Sequence, residues 1–316
     1  MDDADLSVVT AIATHSTAIE LCEPAPTEVA AGSELVLKLR VTCAAGCDLH
    51  GLPLTIKESD AATAASVDCH ANESGEIALM VPPKLGPQRF TVAFGPHEVA
   101  DIRHEPCSLS VTVNAIPHGT SLAVWDIPSP IVKGERFAIK VGAKSAANAA
   151  LKGLEIAILD KTDTVVARGR LRATPWPETT ALYWDEIDLT APSEEGLSKW
   201  SVRFAPEGLA LPHDGTAAEF TTAIVEPPQH RLTVKVIEQQ SKAPIEDVQI
   251  RLGAFRGATG PSGLAEVLMP KGHYDLQIWK AGYEAPARPV DINADLAVEI
   301  EATALPEEIP DAAWTA

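Results

Sequence analysis

The chain lacks the features that would place it in a membrane or on a nucleic acid. Its 316 residues contain no apolar run near the ~18–20 residues needed to cross a bilayer. Basic residues are few, with 25 Lys and Arg against 44 Asp and Glu, so the formal net charge is -19. Because nucleic acids and anionic membranes are bound through clustered Lys and Arg, the sequence predicts neither nucleic-acid binding nor membrane insertion.

The N-terminus lacks the basic start and the apolar stretch of a secretory signal, and three of its first five residues are Asp. The sequence therefore predicts a cytoplasmic protein, or an extracellular one if the chain is a processed mature form. Five cysteines, an odd number, fit reduced thiols or metal ligands at least as well as disulfides.

Familiar catalytic motifs are missing as well. The chain has no Gly-x-Ser-x-Gly elbow, no glycine-rich phosphate loop and no His-Glu-x-x-His pair. These absences leave no reaction to assign, and we expect a protein that is not an enzyme.

What the chain does contain is a series of short alternating runs separated by Gly, Pro and Asp. From Leu35 to Cys43 every second residue is apolar, and Lys38, Arg40 and Thr42 lie between them. A period of two is typical of a half-buried strand. No amphipathic helix of any length is visible, so the predicted fold class is all-β.

An internal repeat organises the first two thirds of the chain. Adding 102 to a position takes Gly32 to Gly134; after an insertion of eight residues the offset becomes 110 and takes Phe90 to Trp200. Each repeat is about 100 residues long, which is the size of an immunoglobulin-like sandwich. The two repeats resemble tandem bacterial immunoglobulin-like domains.

The last third carries a different set of motifs. They are Thr259 and Gly263 of a T-x-x-x-G turn, Pro270, Gly272 and Tyr274 of P-x-G-x-Y, and the pair Gly282-Tyr283. In these residues the segment resembles the carboxypeptidase regulatory-like family. The resemblance implies a transthyretin-like sandwich that serves as an accessory folding or interaction module. We expect Tyr274, Leu276 and Ile278 to point inward.

The predicted architecture is therefore three β-sandwiches in series. Its parts are an N-terminal arm at 1–15, a first immunoglobulin-like domain at 16–115, a second at 116–228, a carboxypeptidase regulatory-like domain at 229–304 and an acidic tail at 305–316.

Thiols and imidazoles are concentrated in the first repeat. The candidate metal ligands are Cys43, Cys47, Cys69, Cys107, His50 and His70, with His97 and His104 further along. On an immunoglobulin topology the loops that carry them gather at one pole. Three interpretations stay open: reduced cysteines packed as small apolar groups, disulfides among the four cysteines, or a tetrahedral zinc-type site built on Cys43-x₃-Cys47.

The second repeat has none of these thiols. Ser145, Ala149 and Lys152 replace Cys43, Cys47 and His50. The fold therefore does not need the thiols, and a role specific to the first repeat is favoured.

Aromatic residues are the second candidate site, for contact with a partner. Trp176, Tyr183 and Trp184 lie in or just after the insertion, and Trp314 lies in the tail. Such residues can contact a protein or a sugar, or they can plug the end of a core. We expect Trp176 to be exposed and Trp184 to be a plug. The histidines at 118, 213, 230 and 273 are expected to be isolated surface or loop residues.

These observations predict a non-catalytic binding or structural accessory protein that contacts other proteins as a subunit of a larger assembly. The alternatives are a zinc-binding protein, through the cluster of the first repeat, and a carbohydrate-binding accessory module, through Trp176 and its neighbours.

Overall fold

The computed structural model describes residues 12–58, 65–70, 73–74 and 76–306, with side chains at 12–58 and 76–306. Every helix or strand that it assigns in these residues is a β-strand, and the predicted all-β class is confirmed. Contacts within the chain define two compact units. Unit 1 combines the chain up to Ser121 with Lys144–Leu151 and Ala205–Gly215, and unit 2 contains the rest. The described residues include no helix that could span a membrane.

The described residues of the first sandwich form thirteen strands. They are β1 Ala13–His15, β2 Thr17–Leu21, β3 Glu28–Ala30, β4 Glu34–Leu37, β5 Leu39–Cys43, β6 Pro53–Glu58, β7 Ala65–His70, β8 Glu73–Ser74, β9 Ile77–Met80, β10 Gly86–Phe94, β11 His97–Val99, β12 Ile102–His104 and β13 Cys107–Ile116. The sheets have the orders β2-β5-β8-β7-β6-β10-β13-β3, β4-β9 and β1-β12-β11. Leu39, Val41, Phe90, Val92 and Phe94 are fully buried in the core between the sheets, as their alternation predicts.

The second sandwich repeats this plan with fewer strands. They are β14 Thr120–Trp125, β15 Ile131–Val132, β16 Arg136–Ser145, β17 Glu155–Leu159, β18 Val165–Arg170, β19 Tyr183–Thr190, β20 Gly196–Phe204 and β21 Thr216–Val225. The sheets have the orders β14-β16-β19 and β15-β21-β20-β17-β18. Strands β10 and β20 coincide residue for residue at the offset of 110. Trp200 is buried at the position of Phe90 and stacks on Phe220.

The third sandwich pairs two four-stranded sheets, β25-β22-β29-β27 and β24-β23-β26-β28. The strands are β22 His230–Glu238, β23 Gln249–Leu252, β24 Phe255–Ala258, β25 Leu264–Met269, β26 Gly272–Trp279, β27 Tyr283–Glu284, β28 Arg288–Ile292 and β29 Leu296–Ala304. Leu276 is buried in the core and Tyr274 and Ile278 pack against it, so the predicted inward face of this strand is confirmed. At Gly263 φ is +72°, and a Cβ would meet the carbonyl oxygen of Val236, so this turn requires glycine.

Candidate metal centre

Four side chains from three separate segments meet at one pole of the first sandwich. They are His15 at the end of β1, Cys43 at the end of β5, Cys47 in the turn that follows, and His104 at the end of β12. Their ligand atoms all lie within 4.8 Å of one another. Within the described residues, these two thiols and two imidazoles form a group that is compact enough to hold a metal ion.

Strand pairing places the two histidines. β1 runs parallel to β12 with His15 opposite His104, and the backbone N–H of Glu105 donates to the carbonyl oxygen of His15 at 2.9 Å. Side chains of paired residues project to the same face of a sheet, so the register itself puts the two imidazoles side by side. His97 lies opposite His104 on β11 but its Nε2 is 3.2 Å from the carbonyl oxygen of Pro53, outside the group.

A tight turn places the two thiols. Gly46 has φ at +72°, and its N–H donates to the carbonyl oxygen of Cys43 at 2.9 Å, which turns the chain back on itself. The imidazole Nδ1 of His15 is then 3.1 Å from Sγ of Cys47 and 3.8 Å from Sγ of Cys43. Around a tetrahedral zinc ion, sulfur and nitrogen ligands stand about 3.3–3.8 Å apart. The observed separations bracket that spacing.

His104 supplies the most informative detail of the site. It is 2% exposed, and both of its ring nitrogens are buried without a hydrogen-bond partner. Buried polar groups are nearly always satisfied, because an unmet one carries its full desolvation penalty. A metal ion held by the two thiols and the two imidazoles would satisfy one of these nitrogens.

The turn also shapes the acidity of the two thiols. Burial raises the pKa of the Cys43 thiol. Hydrogen bonds to its sulfur from the backbone N–H groups of Cys47, Ala45 and Gly46 and from the Cys47 thiol lower the pKa by more, so its net value is below the ordinary one. The hydrogen bond to Cys43 raises the pKa of Cys47, and burial adds to this rise. Of the two thiols, Cys43 is therefore the one whose pKa favours the thiolate that a metal ion binds.

The structure brings together two of the six predicted metal ligands, Cys43 and Cys47. Cys107 and His50 are described but are not members of the group. Cys107 begins β13 opposite Phe94 and packs against the core, and His50 is exposed in the turn after Cys47. The four cysteines whose side chains the structure describes are free thiols, so the disulfide alternative has no support among them.

Cys69 and His70 were expected in a loop, and that expectation is wrong. They end strand β7, where they pair with Ser74 and Glu73 of β8. Their run Ala65–His70 alternates less clearly than the other strands, and pairing with β6 and β8 determines its conformation. Their side chains lie outside the described residues, and their role as metal ligands stays a prediction.

His15 and His104 were not among the chosen ligands, although the repeat carries a signal for both. His15-Ser16-Thr17 returns as His118-Gly119-Thr120 at an offset of 103, and His104-Glu105 returns as His213-Asp214 at 109. Both pairs lie outside the runs of apolar residues that define the repeat. The sequence repeat alone does not show that these histidines meet, because that follows from the pairing of β1 with β12.

The second repeat keeps the backbone of this pole. His118 pairs with His213 in a parallel bridge, and the N–H of Asp214 donates to the carbonyl oxygen of His118 at 2.9 Å, as Glu105 does to His15. Ser145 stands where Cys43 stands in the first repeat and Ala149 where Cys47 stands. The two histidine rings are 5.4 Å apart, and His118 is buried. The expectation that His118 and His213 are isolated is therefore wrong, because an isolated parallel bridge joins them, although both lie outside the named strands.

Protein groups satisfy the imidazoles of the second repeat. Nε2 of His118 is 2.8 Å from the carbonyl oxygen of Ala31, and Nδ1 of His213 is 2.8 Å from that of Leu211. Nε2 of His213 is 2.7 Å from the hydroxyl of Ser145. In the second repeat, which lacks the thiols, these ring nitrogens of His118 and His213 form hydrogen bonds with protein groups instead.

The aromatic residues of the insertion pack on one another. The ring of Trp176 meets Trp125 at 5.0 Å and Trp184 at 4.7 Å between centroids, both edge to face. The ammonium of Lys140 lies 5.3 Å from the centroid of Trp176, and the guanidinium of Arg172 lies 3.9 Å from that of Trp184. Trp176 and Trp184 are both half-buried, as is Tyr183. Trp314 lies outside the described residues.

Fold and site together define a multidomain β-sandwich protein with a Cys₂His₂ cluster in its first sandwich. No protein-family description matches the chain, and no curated protein matches it. Several solved structures are similar over much of its length at low scores. α-2-macroglobulin from Salmonella aligns with 75% of this chain at 11% identity and a TM-score of 0.27, and the chain spans 19% of its length.

Two further solved structures are similar at the same level. The major pilin subunit BcpA of Bacillus cereus aligns with 82% of this chain and 96% of its own, at 10% identity and a TM-score of 0.23. The ICAM-5 D1–D4 ectodomain fragment aligns with 92% of this chain and 76% of its own, at 10% identity and a TM-score of 0.30. Similarity at this level identifies neither a family nor a function for the chain.

Proposed function

We propose that this chain is a non-catalytic binding protein whose first sandwich contains a structural zinc site formed by His15, Cys43, Cys47 and His104. The observation that carries the proposal is the buried imidazole of His104, whose two nitrogens have no partner although two thiols and His15 lie within ligand distance. Two thiolates and two imidazoles are a typical zinc ligand set, and here their ligand atoms all lie within 4.8 Å of one another.

The second repeat acts as an internal comparison. It has the same paired histidines on the same backbone but no thiols, and its ring nitrogens bond to Ala31, Leu211 and Ser145. If the first pole were designed to be metal-free, the same kind of hydrogen bonds would be expected at His104. Their absence there, next to two thiols, favours a metal ligand role.

The ligand count favours a structural site over a catalytic one. Catalytic zinc keeps one position open for water or substrate, whereas structural zinc takes four protein ligands. Here four ligands are supplied, and Cys43 and His104 are buried. This agrees with the expectation, drawn from the missing catalytic motifs, that the protein is not an enzyme.

Metal analysis of the full chain tests the proposal. We expect protein purified with a thiol reductant and without chelator to hold one zinc ion per chain, and Co²⁺ in its place to show the absorption of a tetrahedral thiolate complex. Cys47→Ser should abolish stoichiometric binding, because the site loses a ligand. Cys107→Ser is the matched control and should keep the metal. Five titratable thiols with no bound metal, or a Cys43–Cys47 disulfide in freshly prepared protein, would refute the proposal.

The site suits a reducing compartment, because thiolates that hold zinc must escape oxidation to a disulfide. The expected cytoplasmic location is consistent with this requirement and stays a prediction. So does the resemblance of the third sandwich to the carboxypeptidase regulatory-like family. Sugar binding through Trp176 also stays a prediction, and cations of the same chain already cover one face each of Trp176 and Trp184.

Contact with a protein partner is a second candidate function, favoured by one strand of the third sandwich. β25 stands at the end of its sheet, and its outward residues Leu264 and Leu268 are 43% and 58% exposed. An edge strand with apolar side chains is suited to pairing with an extended segment of another protein. In affinity capture from the native host, the unchanged chain should recover a partner protein that the Leu268→Lys variant does not recover. Equal recovery by both baits would exclude this strand.

A further inference from the structure

We infer that the metal ion works as a clasp: it holds strand β1 and the β11–β12 hairpin on the first sandwich, so metal occupancy controls the order of these three strands. The inference rests on the proposed zinc site and adds what that site regulates. The rest of the sandwich is expected to stay folded with or without the ion.

The sheet β1-β12-β11 has little apolar core of its own. Each of its strands has three residues. Of the described residues 12–15 and 97–104, none belongs to the hydrophobic cluster of the first sandwich, and Ile12 and Val99 are 52% and 43% exposed. Small sheets without a buried apolar face are marginal in water. His97 joins this sheet to the sandwich through the carbonyl oxygen of Pro53 and the ring of Phe94, so a metal ion would add to a small number of contacts.

The four ligands divide into a fixed half and a movable half. Cys43 belongs to the buried core and Cys47 packs against it, so both thiols are anchored to the sandwich. His15 and His104 belong to β1 and β12, the weakly anchored sheet. A metal bound by all four joins the movable strands to the fixed turn. This is a bond between two parts of the fold that share few apolar contacts.

Loss of the ion would leave His104 buried with both ring nitrogens unbound, instead of one. Its nitrogens have no protein partner to turn to, so the imidazole gains by moving into water. Moving it displaces β12, and β1 has β12 as its pairing strand. The metal-free state predicted by this argument is a local opening of two segments rather than an unfolded domain.

The second repeat provides the metal-independent counterpart in the same molecule. Its paired residues His118 and His213 are held by hydrogen bonds to Ala31, Leu211 and Ser145. The same backbone arrangement is therefore fixed in one repeat by hydrogen bonds and, as we infer, in the other by an ion. Only the first should respond to zinc.

Hydrogen exchange of the full chain, measured by mass spectrometry in reducing buffer, tests the clasp. Peptides are compared with one equivalent of zinc and with a zinc chelator. We expect zinc to slow exchange about tenfold or more in peptides covering 12–16 and 97–105, because these amides exchange through local opening. Peptides covering 116–121 and 211–216 should change by less than about twofold, because their opening does not involve the ion.

Two variants complete the experiment. Cys47→Ser should show fast exchange at 12–16 and 97–105 at every zinc concentration, since the ion is no longer held. His50→Ala removes an imidazole at the same pole that is outside the group, and it should keep the full zinc effect. Slow exchange in peptides covering the core strands at 28–43 and 107–116 reports that the first sandwich of each variant is folded.

The outcomes separate the clasp from the site. If zinc does not bind, the proposed function fails and the clasp fails with it. If zinc binds stoichiometrically but neither segment is protected, the site stands and the clasp is overturned. Uniform protection throughout 28–43 and 107–116 would also overturn it, because the ion would then be folding the whole sandwich.

Discussion

At the scale of single residues, the two repeats differ in the side chains that could bind a metal ion. The paired histidines are common to both, and the thiols of Cys43 and Cys47 are replaced by the hydroxyl of Ser145 and the methyl group of Ala149. The backbone hydrogen bond that supports the first histidine pair recurs at the same length in the second. Two side chains therefore separate a site suited to zinc from one satisfied by hydrogen bonds.

This comparison predicts that the site can be transplanted. In the double variant Ser145→Cys, Ala149→Cys we expect zinc stoichiometry to rise from one to two per chain, because the histidine frame for a second Cys₂His₂ site is already present. Metal content and Co²⁺ absorbance measure the change.

The single variant Ala149→Cys, which supplies one thiol only, is the control for the transplant and should remain at one equivalent. A double variant that is folded yet binds a single ion would show that His118 and His213 are too firmly engaged by Ala31 and Leu211 to act as ligands.

At the scale of elements, the insertion of the second repeat covers one face of a sheet. The segment between β18 and β19 places Leu182 beside Gly142 of β16, and Trp125 lies against the same glycine. A Cβ at Gly142 would lie 2.9 Å from Leu182 Cδ1 and 3.1 Å from the Trp125 ring. The first repeat, without the insertion, has the half-exposed Arg40 at this position. The aromatic group is thus a second small core outside the sheet.

Gly142→Ala should therefore destabilise the second sandwich. We expect a loss of about 1–3 kcal/mol in the free energy of unfolding, the usual effect of adding a methyl group to a filled space. Urea unfolding followed by tryptophan fluorescence measures it. Gly119→Ala, at a glycine with open space around it and an ordinary φ, should have a small effect. Equal stability of the two variants would mean that the insertion moves aside readily and that the aromatic cluster is not a core.

The sequence predicts strands well here because burial on alternate residues is a local property. Leu39 and Val41 were predicted on the apolar face of their strand and are fully buried. The metal group could be predicted only in part, because Cys43 and Cys47 are neighbours in the sequence whereas His15 and His104 meet through strand pairing. His50, close in sequence, is not in the group, because the turn carries it to the exposed side.

At the scale of the whole molecule, the units defined by contacts do not follow the repeats. Unit 1 takes in Lys144–Leu151 and Ala205–Gly215, which belong in sequence to the second repeat. Within it, His118 bonds to the carbonyl oxygen of Ala31, and a Cβ at Gly32 would collide with Leu211. The corresponding glycine of the second repeat, Gly134, has open space around it.

That interlock limits how such a gene can be rearranged. A recombination or cloning junction at Ala115 would strip the first repeat of Leu211 over Gly32 and of the imidazole that caps Ala31, and it would expose apolar surface on both fragments. One hydrogen bond and one close side-chain approach thus join residues of the second repeat to the first. Heterologous fusions and minimal fragments should therefore carry both repeats together, since neither repeat is expected to behave as an independent, interchangeable domain.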